Sequence, residues 1–438
     1  MYENERYDVI ICGAGVAGSA TAIRLMQKNP ELKVALIDRG DPIGSKNVSG
    51  GVLWGSALEE IIPEWWTKAP IERRIIQKRT GLLTKTDALT VDFHYPNWRS
   101  NPDGSPNAVS LLLGKFVHWL AEEAERSGAH VYSGITVDDL SRDPEGRING
   151  IYQADDFFEC DVVVIADGAN SRLALSSGLC KEMKKEHYGL AVKEILSLSA
   201  KTINDRFNNL TATTGLAAEY VIGGLPNGIR AGGFLYTNEE TLSLGVIIQI
   251  DTLTDPEFPP VKVYETFKQH PHIRNLVEGA ELLQYSSHWV PEGGIHMVPQ
   301  LFDDHVLVVG DAAGLVLSNG MIIQGINYAI ESGIMAADTI HDAYRKRDFS
   351  RATLKQYERK LDKSVLKDLK NFKNVHKITR NPRLYDQYPD IFLEMFHEML
   401  TERRKPKKHL ITLFRNAKKT QKVGWLRLIR DGLTLRHF

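Results

Sequence analysis

The chain has 438 residues, of which 42% are hydrophobic and 25% charged, a length that calls for more than one domain and a composition that excludes wholesale disorder. Its formal net charge is −1, so no overall field points to nucleic acid as a partner. The charge is unevenly placed: residues 403–438 hold 12 Lys and Arg and one acidic residue, Asp431, against 42 basic and 54 acidic residues before them.

That basic end points to an anionic surface or an acidic partner. Cys12, Cys160 and Cys180 form no C-x-x-C pair, so the chain offers no four-cysteine cluster or zinc site and no metal site is predicted. Sparse, odd-numbered cysteines fit a reducing compartment. The opening MYENERYDVIICGAG has acidic residues, then a strand running into a glycine turn, which is not the pattern of a signal peptide. No stretch reaches the ~18 uncharged apolar residues of a spanning helix. The expectation is a soluble or peripheral protein.

In chain order, Tyr7–Cys12 reads as a buried strand, Ala17–Lys28 as a helix and Val34–Ile37 as a second strand, together a βαβ unit. Ser110–Arg126 has the spacing of an amphipathic helix, followed by a strand at His130–Ser133. Asp161–Ala166 and His305–Val309 are continuous apolar runs of the kind found in parallel sheets covered on both faces. Between them, residues 190–289 alternate apolar and polar positions, as in Thr241–Ile250, and predict an antiparallel sheet. Ile322–Tyr344 reads as a helix, and residues 349–438 as mostly helical and increasingly basic. The predicted fold is α/β: a Rossmann-type domain interleaved with an antiparallel-sheet domain, with a helical C-terminal appendage. The expected division is 1–80, 106–189 and 290–345 for the nucleotide-binding domain, 81–105 as an insertion belonging to the second domain, 190–289 for its sheet, and 346–438 for the appendage.

The strongest motif is Gly13-Ala14-Gly15-Val16-Ala17-Gly18, directly after one strand and opening a helix. Gly13 permits the turn, Gly15 removes a side chain where a pyrophosphate must approach, and Gly18 lets helix and strand pack closely. The helix start presents free N–H groups to the phosphates. Asp38 ends the second strand, where a carboxylate accepts from ribose hydroxyls. Two further strands end in Gly and Asp, at Asp167-Gly168-Ala169-Asn170 and at Gly310-Asp311-Ala312-Ala313-Gly314, followed by small residues including Asn319 and Gly320. Three such turns at the carboxyl ends of strands favour FAD. No second G-x-G-x-x-G is present, so no nicotinamide site is predicted.

The order of these motifs, with Lys46-Asn47-Val48-Ser49-Gly50-Gly51, Val192-Lys193-Glu194, the run Gly232-Gly233-Phe234-Leu235-Tyr236-Thr237-Asn238-Glu239, Val290-Pro291-Glu292-Gly293-Gly294 and the late segment Gly424–Ile429, resembles the FixC-type flavoproteins of electron-transfer-flavoprotein:quinone oxidoreductases over the whole chain. The resemblance implies one noncovalent FAD held by Gly13, Gly15, Val16, Ala17, Gly18, Asp38, Arg39, Lys46, Asn47, Ser49, Gly50, Lys115, Asp167, Gly168, Asn170, Gly310, Asp311, Gly314, Asn319 and Gly320. It implies a quinone headgroup approached by Gly232 and Gly233, whose backbone N–H groups are expected to reach a quinone oxygen; the paired glycines read alone point to a strand bulge. The electron donor it implies is a heterodimeric electron-transfer flavoprotein. Longer relatives carry a ferredoxin-like domain whose cysteines are missing here, which implies a separate ferredoxin-like iron–sulfur subunit; some such complexes bifurcate electrons. No catalytic acid is named, and Tyr236 is a proton-relay candidate by family position or a packed strand tyrosine.

A quinone lives in lipid, so the expected location is cytoplasmic, peripherally bound to the inner face of the cell membrane. Two stretches are candidates for lipid contact: residues 53–66 with Trp54, Trp65 and Trp66, where core packing is the favoured reading, and the basic tail 405–433, which equally suits a partner subunit. An isoprenoid-lipid (geranylgeranyl) reductase, a flavin monooxygenase and a redox-silent FAD-bound scaffold are the rival functions.

Overall fold

A computed structural model describes residues 6–47, 50–98, 104–182, 184–209, 211–318 and 322–434; Ser49, Asn319 and Gly320 lie outside the described residues. Tyr7–Cys12 lies between Val34–Ile37 and the long strand Asp156–Ile165, paired in parallel with both. Val306–Val308 and His130–Tyr132 extend this parallel sheet on its two sides. Residues 9–11, 34–36, 162–165 and 306–308 are fully buried, which explains why these segments read as unbroken apolar runs, while His130–Tyr132 is a partly exposed edge. Helix Val16–Lys28 crosses one face and packs against helix Ile326–Lys346.

A second sheet of nine strands runs Glu281–Pro291, Tyr188–Ser197, Thr241–Gln249, Ala231–Thr237, Thr214–Ile222, Ile71–Leu83, Ala108–Leu111 and Gly51–Trp54, with Ala88–His94 also paired to Ile71–Leu83. It is antiparallel as predicted, apart from the parallel pairing of Thr214–Ile222 with Ile71–Leu83. Gly51–Trp54 and Ile71–Leu83 therefore run in this sheet, the latter across the division expected at residue 80. Helices Pro260–Gln269 and Pro271–Val277 cover one face through Val263, Tyr264, Phe267 and Ile273. The other face turns Trp54, Ala217, Phe234 and Tyr236 toward the first domain.

Two sequence expectations need correction. Ser110 and Leu111 belong to a strand, and the helix begins at Leu113; an apolar run of four residues satisfies either period, and pairing with Gly51–Trp54 decides it. The long helix predicted from Ile322 starts at Ile326, because Ile323–Gln324 pairs with Leu317–Ser318. The tryptophan-rich stretch follows its favoured reading and packs in the core: Trp54 is 5% and Trp65 1% exposed, and Leu53, Ile61 and Ile62 are buried with them.

Arg73 is a fully buried cation that the sequence did not flag. It donates to the carbonyls of Asn238, Thr211, Thr214 and Glu239 and to Asn204 Oδ1, and so ties the turn after Ala231–Thr237 to two other strands. Replacing it by Met is expected to leave these acceptors unpaired and cost about 3 kcal/mol, read as a lower midpoint of urea unfolding.

Candidate functional site

The nucleotide cradle forms where Tyr7–Cys12 ends. Gly13 has φ +117°, and a Cβ there would lie 2.2 Å from the Ala166 carbonyl oxygen, while one on Gly18 would lie 1.9 Å from the Gly13 oxygen. Gly15 differs: a Cβ there meets nothing within 4 Å, so its absence serves what approaches from outside rather than the protein's own packing. Asp38 accepts from the N–H of Ala14 at 2.9 Å and of Gly40 at 2.7 Å, which fixes the turn and leaves lone pairs for ribose hydroxyls. Val16 and Ala17 open the helix, with the unpaired N–H groups of its first turn aimed along the same axis.

Asp311 follows Val306–Val308, and burial pushes its carboxyl up to about 6. Its carboxyl group has no hydrogen-bond partner among the described residues, so it is placed to accept from a ligand hydroxyl. Asp167 behaves otherwise: its carboxylate takes the Ser171 hydroxyl at 2.5 Å and the Leu173 N–H at 3.1 Å, capping helix Arg172–Ser176. Arg39, Lys46, Lys115 and Asn170 are exposed, and Asn47 and Gly168 half-buried. Lys115 stands 4.0 Å from Glu72. Gly50 is bound to the second sheet, because the buried ammonium of Lys193 donates to its carbonyl at 3.0 Å. Gly310 and Gly314, at φ +61° and +65°, frame the Asp311 turn. The open path over Gly15, the strand-end carboxylates and the helix start fit a dinucleotide with a polyhydroxylated linker.

A cavity of about 300 Å³ adjoins this cradle. Its walls come from the nine-stranded sheet (Gly232, Gly233, Phe234, Glu219), from the turn at Gly293-Gly294 and from the appendage (Phe372, Val375, Tyr385). The two glycines act differently from expectation. Ala231–Thr237 is paired on both sides through both positions, so their N–H groups lie within the sheet and do not reach a quinone oxygen. Gly233 makes room for Phe267, which a Cβ would meet at 2.3 Å on the far face. A Cβ on Gly232 would lie 3.5 Å from the Tyr220 oxygen, an ordinary contact, so that glycine keeps space on the cavity face.

The sequence also missed the appendage wall. Gln249 donates to the Thr379 carbonyl at 3.2 Å and Arg230 to the Arg380 carbonyl at 2.9 Å, which seat residues 372–385 over the sheet. Short helices with no motif gave no signal for this. Glu292 lines the cavity too, and burial pushes its carboxyl up to about 7.

Fold and site together define a Rossmann-type oxidoreductase that binds FAD. The family described as FAD dependent oxidoreductase matches residues 8–99, and the one described as ETF-QO, ubiquinone-binding matches 188–290, the cavity sheet. Among curated proteins, the probable electron transfer flavoprotein-quinone oxidoreductase YdiS of Escherichia coli K12 is 39% identical, covering 98% of each chain. Protein FixC of Salmonella typhi is 37% identical over 98% of this chain and 97% of its own. This chain belongs to the FixC and electron transfer flavoprotein-quinone oxidoreductase family. Among solved structures, a geranylgeranyl bacteriochlorophyll reductase-like protein from Thermoplasma acidophilum superposes with a TM-score of 0.70 at 17% identity, covering 95% of this chain and 96% of its own. The flavin-dependent brominase Bmp2 superposes at 0.63, also with 17% identity, covering 95% and 99%. These two show a shared fold.

Proposed function

We propose that this chain accepts electrons from an electron-transfer flavoprotein and passes them to a membrane quinone seated in the cavity beside Gly232. The observation that carries this reading is the cavity itself: apolar and aromatic side chains wall it, its sheet wall at residues 219–221 and 231–234 lies in the stretch that matches the ubiquinone-binding family, and it abuts the cofactor cradle at Gly293-Gly294 and Leu317. The cofactor supplies one- and two-electron chemistry; the chain sets distance and orientation and keeps water from the reacting face. Gly13, Gly15, Gly18, Asp38 and Asp311 hold FAD in this reading, and Gly232 with Phe234 borders the headgroup.

Lipid access is supported by an apolar rim. Val91, Phe93 and Tyr95 on hairpin 71–94 are 69%, 53% and 51% exposed, next to helix Tyr388–Leu400 with exposed Phe392, Met399 and Leu400. On helix Trp425–Thr434, Leu426, Ile429 and Leu433 form an exposed row beside Arg427 and Arg430. No helix among the described residues is long and apolar enough to cross a membrane. With three cysteines and no C-x-x-C pair, the chain leaves an iron–sulfur cluster to a separate ferredoxin-like subunit, and the exposed apolar edge strand Glu281–Pro291, with Leu282, Leu283 and Tyr285, is a surface for a partner.

The test is anaerobic: purified, photoreduced protein is mixed with a short-chain ubiquinone analogue or with an unsaturated isoprenoid lipid. Reoxidation by the quinone alone is expected. Reoxidation by the lipid alone makes the chain a lipid reductase, and reoxidation by neither makes it a scaffold. Co-purified subunits, assayed with NADH and a low-potential acceptor, separate a bifurcating assembly from a simple one.

A further inference from the structure

Behind the cavity wall lies an ionisable cluster that cofactor binding does not use. Glu219, on Thr214–Ile222, lines the cavity. Lys78, from the neighbouring strand Ile71–Leu83, is in direct contact with the Glu219 carboxylate, and the two side chains are 10% and 13% exposed. Tyr236, on the other neighbour Ala231–Thr237, donates its hydroxyl to Glu219 Oε1 at 3.4 Å. An ion pair this far from water is seldom kept for stability, since apolar residues of like volume do as well or better. Placed one layer behind a redox cavity, it has another use.

We propose that Glu219 is the proton donor to the quinone, recharged by Lys78 and positioned by Lys78 and Tyr236; this rests on the function proposed above. Reducing a quinone to a quinol takes two electrons and two protons and converts two C=O groups into C–OH groups. FAD held in the cradle would supply the two electrons. One proton leaves the Lys78 ammonium, whose N–H bond breaks, and passes through the Glu219 carboxylate to a quinone oxygen, where an O–H bond forms. The other proton comes from solvent. Lys78 is left neutral and regains its proton from water before the next turnover.

Burial pulls the Lys78 ammonium down to about 7, close to the point at which a group both gives and retakes a proton at neutral pH. The other charged or titratable groups facing this space are Lys193 across Phe234, Glu186 and Glu292 on the opposite wall, and Lys373, His376, Arg380 and Tyr385 on the appendage. Because the donor must be protonated, quinone reduction is expected to fall as pH rises through about 7.

The experiment compares quinone with ferricyanide, an acceptor that takes an electron and no proton. Glu219→Gln is expected to slow quinone reduction on the order of 100-fold while reduction of ferricyanide stays within about twofold, and Lys78→Met is expected to remove the fall near pH 7. Should a single replacement unfold the chain by stranding a charge, the double variant Lys78→Met/Glu219→Leu removes both and is read the same way. A wild-type rate with quinone in these variants, or an equal loss with both acceptors, overturns the donor alone. A wild-type protein that reduces no quinone overturns the proposed function and the donor with it.

Discussion

Gly15→Asp is expected to yield a folded, colourless protein. Gly15 sits at φ −67° and ψ −176°, a conformation open to any residue, with no atom within 4 Å of the position its Cβ would take. Asp is also a good residue at the start of a helix, so the apoprotein should be as stable as before. The new carboxylate would stand where the pyrophosphate passes. Two unit charges about 4 Å apart at an effective dielectric near 20 repel by about 4 kcal/mol, so FAD affinity should fall on the order of 10³-fold. Flavin absorbance after gel filtration, set beside a circular-dichroism melt, reads binding and folding separately. Bound flavin at the wild-type ratio would show that the pyrophosphate does not cross this turn.

Gly232→Val and Gly233→Ala are expected to part ways, although the residues are adjacent. Valine at 232 suits a strand and meets only ordinary contact at its Cβ, so its methyl groups enter the cavity. Flavin content should be unchanged and quinone-dependent reoxidation should drop by about 100-fold through displacement of the headgroup. Alanine at 233 instead drives a carbon into Phe267, and overpacking of this kind costs about 1–3 kcal/mol. Its signature is a lower melting temperature with little change in the KM for quinone. If both variants behave alike, the two faces of this strand have been wrongly assigned.

Much of the cofactor half was legible because its sequence signals are local. A strand, a glycine turn, a helix and a strand-end carboxylate occupy residues 7–38 in one unbroken run, and each residue's role follows from its neighbours. The cavity was less legible because its walls are assembled from distant segments. Phe372 and Tyr385 carry no motif and matter only through hydrogen bonds such as Gln249 to the Thr379 carbonyl. Lys78 and Glu219 read as ordinary strand charges until a parallel pairing between Ile71–Leu83 and Thr214–Ile222, 130 or more residues apart, sets them face to face. Gly232 and Gly233 were named by resemblance, and the free amides expected of them are paired, because the sequence does not tell a central strand with engaged amides from an edge with free ones.

That same long-range pairing has a consequence for biosynthesis. Ile71–Leu83 leaves the ribosome long before its partner Thr214–Ile222, and at roughly 5–20 residues per second it waits on the order of ten seconds with Ile75 and Ile76 uncovered. The parallel sheet is completed later still, since Val306–Val308 must be made before Asp156–Ile165 gains its remaining parallel neighbour. Flavin can therefore be captured only near the end of translation or after it. A cell short of riboflavin should therefore accumulate this chain as a folded, empty apoprotein that takes up flavin once it is supplied.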